Sequence, residues 1–144
     1  MNIETHIIGA TDVIKILGFW PSFHDAEVIS FGIERGITLG KNPVIAKLCV
    51  HVRKYDTVGA GTVEYAQVLS KSILINLAFA NVADLDISDF NHQNVINSID
   101  VTLLEAEDPR EFSVFIDSIW GFGGRFKCSS IEIESVENIL NVAS

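Results

Sequence analysis

Alternation of apolar and polar positions dominates this chain. From Ala26 to Arg35, Ile29, Phe31 and Ile33 stand against Val28, Ser30 and Gly32, which predicts a strand with one apolar face. Gly36 and Gly40-Lys41-Asn42-Pro43 mark a turn. From Val44 to Tyr55 the alternation is cleanest: Val44, Ala46, Leu48, Val50 and Val52 share one face, opposed by Lys47, Cys49, His51 and Arg53. The two segments form a predicted hairpin. Asp56 to Thr62 is a glycine-bearing loop, and Val63 to Leu69 fits a helix as well as a short strand. Ser72 to Asn81 is apolar on both faces and is placed centrally in the sheet. Leu85-Asp86-Ile87 either extends that strand or begins a further piece.

Period two returns from Asn94 to Glu105, with Val95, Ile99, Val101 and Leu103 on one side. It recurs from Phe112 to Trp120 through Phe112, Val114 and Ile116. After a turn at Gly121-Phe122-Gly123-Gly124, a last strand is expected from Arg125 to Val136. Phe126 and Cys128 differ in parity from Ile131 and Ile133, so a bulge at Ser129-Ser130 is expected to return the latter pair to the core. The one helical pattern comes first. Thr11 or Asp12 caps it, Val13, Ile14, Ile16 and Leu17 follow, and Gly18 ends it. The expected fold class is α+β, a mainly antiparallel sheet of about six strands with a short N-terminal helix. No linker or repeat divides the chain, and residues 1–144 are expected to form one domain.

Composition narrows the function classes. Hydrophobic content is 48%, yet no run approaches the length of about 18 residues that spans a bilayer. The N-terminus lacks a signal-peptide pattern, so a cytoplasmic protein with no membrane partner is expected. Nineteen acidic residues against ten basic ones leave a formal charge of −9. With Lys and Arg scattered, this argues against nucleic acid as a partner and suits a basic one. The two cysteines, Cys49 and Cys128, lie in apolar strand patterns and read as buried thiols in a reducing compartment.

Candidate chemistry concentrates in Phe19 to Glu27, where His24, Asp25 and Glu27 fall within four residues. As a metal or acid–base site this cluster would need more ligands, from His6, His51 or His92. If the strand has begun by His24, adjacent residues point to opposite faces, which turns His24 away from Asp25. A structural role is favoured: Trp20 and Phe23 anchor the corner, Asp25 bonds turn amides and His24 a buried carbonyl. Ser88 to Asn94 reads as an Asx-rich turn. No nucleophile elbow or phosphate loop is present, and neither catalytic residue, metal nor cofactor is predicted. Glu105, Glu107 and Asp108 form the compact acidic run, a solvated turn or a contact for a basic partner. Trp120, Phe122 and Tyr65 are the aromatics that would strengthen such a surface if exposed.

Trp20-Pro21-Ser22-Phe23-His24-Asp25-Ala26-Glu27-Val28 resembles the N-terminal motif of the immunity protein 50 family of bacterial polymorphic toxin systems. Phe90-Asn91-His92-Gln93-Asn94-Val95-Ile96 and Gly124-Arg125-Phe126-Lys127-Cys128 are similar to later landmarks of that family. The resemblance runs from about Phe19 to Val136. It implies a cytoplasmic antidote that binds and neutralises a cognate toxin protein and performs no catalysis. Trp20, Phe23, His24, Asp25, Glu27, Asn91, Gln93 and Asn94 are then family-motif residues with a structural or binding role. Glu105, Glu107 and Asp108 are the candidate toxin contacts. The alternatives are a small metal-binding or hydrolytic domain using His24, Asp25 and Glu27, or a ligand-binding or self-assembling module with an exposed sheet edge.

Overall fold

The computed structural model describes residues 2–37, 40–41 and 43–140. Asn42 of the expected turn and both ends of the expected 1–144 domain lie outside them. A short 3-10 turn, Ile3–His6, precedes helix α1 (Ala10–Leu17). Eight strands follow: β1 (Glu27–Arg35), β2 (Val44–Val58), β3 (Ala66–Ala80), β4 (Ala83–Ser88), β5 (Val95–Glu105), β6 (Glu111–Trp120), β7 (Gly123–Cys128) and β8 (Ser130–Asn138). Their order in the sheet is β4-β7-β6-β5-β1-β2-β3-β8, and all strand pairs are antiparallel.

The count of about six strands is therefore corrected to eight. Leu85 to Ile87 belongs to a strand of its own, β4, and the expected last strand is two. The parity change between Cys128 and Ile131 marks a change of partner, not a bulge. β7 pairs with β6 and β4, whereas β8 pairs with β3. Ser129 carries the chain across, its N–H donating to the Ala80 carbonyl at 2.9 Å. Phe126, Cys128, Ile131 and Ile133 are all buried on this route. The undecided stretch before Ser72 extends β3, which lies inside the sheet between β2 and β8.

A single register pair, Glu27↔Val95, joins β1 to β5 within the ladder. There the sheet folds over, and its halves pack face to face through aromatic side chains. Phe126 of β7 meets Phe79 of β3 edge-on at 4.9 Å between ring centroids and Phe31 of β1 at 6.2 Å. The core face of β2 is the predicted one, with Ala46, Leu48, Val50 and Val52 all buried. In β1 a register shift between Val28 and Ser30 breaks the expected phase. Val28 is buried and Phe31 half-buried, while Ile29 and Ile33 are exposed. Ile96, left off the expected face of β5, is fully buried because the register shifts on either side of it.

Helix α1 buries Ala10, Val13 and Leu17 in the same core. It starts after Gly9, with no side-chain cap, so Thr11 and Asp12 do not fill the expected capping role. At its other end Gly18 is left-handed, and the Lys54 ammonium donates to the Leu17 carbonyl at 3.3 Å, where the helix dipole favours a cation. The two thiols are free and cannot meet: Cys49 projects from the outer face of β2, and Cys128 faces the core. Among the described residues, no helix is long and apolar enough to cross a membrane.

Candidate functional site

The segments singled out in the sequence converge on the fold-over. Backbone bonds stitch Asp25 to Val28 onto the start of β5: Asp25 N–H to Ile96 O, Ile96 N–H to Ala26 O and Val28 N–H to Asn94 O, at 3.0, 2.9 and 2.8 Å. Phe23 is buried beneath this corner and meets Trp20 edge-on at 5.6 Å. Asn94, 3% exposed, ties in the third segment. Its Oδ1 accepts from the Asn91 and Phe122 amides at 2.8 and 3.0 Å, and its Nδ2 donates to the Asn91 carbonyl at 2.9 Å. Gly121 is required beside it. Its φ is +81°, and a Cβ there would meet the Gln93 carbonyl and lie 2.6 Å from Asn94 Oδ1.

His24 and Asp25 are not turned apart, which corrects the expectation from strand alternation. The strand begins only at Glu27, and left-handed backbone at Phe23 and Asp25 (φ 65° and 63°) makes the intervening residues a turn. His24 Nε2 consequently lies 3.5 Å from Asp25 Oδ2, with both side chains exposed. Rather than a buried carbonyl, His24 Nδ1 meets Asn97 Oδ1 at 2.9 Å, and Asn97 Nδ2 donates to Asp117 Oδ2 at 3.0 Å. An ionised Asp117 can only accept, so Asn97 offers its oxygen to His24 and the imidazole Nδ1 is the donor. The result is an exposed hydrogen-bonded line from His24 through Asn97 to Asp117, with the Asp25 carboxylate beside the imidazole.

The other candidate ligands stay apart. His51 Nε2 bonds Ser72 Oγ at 2.6 Å, His92 Nδ1 contacts its neighbour Asn91, and His6 packs near Phe112. Among the described residues no three His, Cys, Asp or Glu side chains are grouped to hold a metal ion. Burial pushes the Cys128 thiol up to about 12 and raises Cys49, with Glu137 adding to the latter, so neither is a poised thiolate. Glu105, Glu107 and Asp108 are exposed at the β5–β6 turn, where Glu105 Oε1 accepts from the Glu107 amide at 3.0 Å. Tyr65 and Trp120 are exposed as a contact aromatic must be, whereas Phe122 is buried between Phe31 and Phe90.

Sequence reasoning missed an open depression of about 790 Å³ on the outer face of β4, β7 and β6. Cross-strand registers Asp86↔Arg125 and Phe115↔Arg125 set those three side chains in one row on its floor. Asp89, Asp117 and Trp120 also line it. The signal was present in the alternation of β6, whose core residues Phe112, Val114 and Ile116 leave Phe115 and Asp117 facing outward.

The described residues form a mostly antiparallel β-sheet with one short helix, a buried apolar core and polar and aromatic outer faces. The sequence matches the family model described as Immunity protein 50 over residues 9–139, and the chain belongs to that family. No curated protein and no solved structure matches it.

Proposed function

We propose that this chain is an immunity protein that binds and neutralises a cognate toxin of a bacterial polymorphic toxin system, acting in the cytoplasm as one domain without catalysis of its own. Family membership across residues 9–139 carries this reading. The scaffold-like bonding of Asn94 and the burial of Phe23 support it, because they give motif residues a folding role and leave binding to the exposed faces. Trp20, Glu27, Asn91 and Gln93 are taken as part of the same scaffold, and Glu105, Glu107 and Asp108 remain candidate toxin contacts.

The decisive partner is the C-terminal domain of a secreted protein encoded beside this gene. Co-expression of the two should rescue growth of bacteria producing that toxin domain, and the purified proteins should elute as a one-to-one complex. Neither rescue nor complex formation with that domain would sink the reading.

A further inference from the structure

The depression on β4, β7 and β6 has the chemistry of a docking surface. Its carboxylates Asp86, Asp89 and Asp117 have no Lys or Arg within ion-pair distance among the described residues, and Arg125 in their midst is equally unpaired. Three carboxylates around one guanidinium leave the bowl net negative, in a chain whose formal charge is already −9. Of the aromatics that line it, Trp120 is 54% exposed and Phe115 45% exposed. Large aromatics held in water beside unpaired carboxylates fit an interface core that desolvates rings and pairs charges at once. A second exposed apolar feature, the β2–β3 ribbon carrying Tyr55 and Val68, mixes Arg53, Lys54, Asp56 and Glu64 and has no such charge bias.

Resting on the proposed immunity function, we infer that this depression is the toxin-binding face, and that it takes a Lys- or Arg-bearing protein surface whose apolar collar covers Trp120 and Phe115. Complementary potential would steer the encounter, and the rings would hold the complex. The acidic turn at Glu105, Glu107 and Asp108 lies at the other end of the β5–β6 hairpin from Trp120, so the two surfaces can be separated by mutation.

The test is calorimetric titration of the neighbouring toxin domain into the full chain and into Trp120→Ala, Asp86→Lys, Tyr55→Ala and Glu107→Gln. All four positions are exposed, and thermal melts establish that each variant folds. Expected is a loss of about tenfold or more in affinity for Trp120→Ala and Asp86→Lys. Tyr55→Ala should stay within about twofold, as for a residue outside an interface core, and Glu107→Gln, at the competing acidic turn, should lose less than either Trp120→Ala or Asp86→Lys. A folded Trp120→Ala and Asp86→Lys pair that binds like wild type overturns the assignment while leaving the immunity function standing. A loss confined to Glu107→Gln overturns it in favour of the acidic turn. Self-association of wild type that Trp120→Ala abolishes overturns it in favour of a second copy of the chain. Failure of wild type itself to bind removes the immunity function and this surface together.

Discussion

Asn94 shows how a single polar side chain can decide a corner. Its carboxamide answers the amides of Asn91 and Phe122 and the carbonyl of Asn91 while almost wholly buried. Replacing it by Ala leaves the Phe122 amide without a partner where water is scarce, and a buried unsatisfied group costs about 1–3 kcal/mol. Asn94→Ala should therefore lower unfolding free energy by about 2–3 kcal/mol in urea titrations, from lost bonds together with the orphaned amide. A change below about 1 kcal/mol would show that water or a shifted loop replaces it. His51 makes stability respond to acid. Partial burial and then Arg53 push its pKa below the ordinary 6.5, and only Glu27 opposes them. The folded state thus resists a proton that the unfolded chain accepts. Its contribution to stability is intact above about pH 6.5 and is lost as pH falls toward the lower folded value. Between about pH 7.5 and pH 5, wild type should lose more stability than His51→Gln; equal losses would remove His51 as the cause.

At the scale of elements, the sequence was legible wherever a strand keeps the same neighbours and one phase. The core faces of β2 and β6 follow directly from alternation, because each strand runs unbroken beside its neighbour over those residues. Legibility failed where the chain changes partners. Phe126 to Ile133 carries the parity change of a bulge, yet the physical event is a crossing between sheet halves at Ser129, and one strand gives no sign of which neighbours it will have. Ile29 misled because a register shift turns it outward, and Phe122 because a glycine-flanked phenylalanine in a turn gives no clue that Asn94 will draw its amide inward. The motif histidine failed for a backbone reason: left-handed φ at two non-glycine residues, Phe23 and Asp25, cannot be foreseen from alternation. The docking depression needs three strands in register, β4, β7 and β6, and the first and last of these are far apart in sequence.

For the whole molecule, the question is what keeps the folded-over sheet closed when one register pair joins its halves along the ladder. The aromatic contacts supply the answer. Phe126 comes from one half and touches Phe79 and Phe31 of the other, and it is 1% exposed. Truncating such a residue removes its own burial and opens a cavity between two sheets that cannot collapse independently. Phe126→Ala should cost about 3–5 kcal/mol in chemical denaturation. Phe115, on the outward face of the adjacent strand, is the matched comparison: the same truncation there should cost under about 1 kcal/mol, since it stands 45% exposed. That contrast separates the two faces of one sheet half by their tasks. If both truncations cost the same, the halves are held together by the backbone seam at Glu27 and Val95, and the aromatic bridge contributes little.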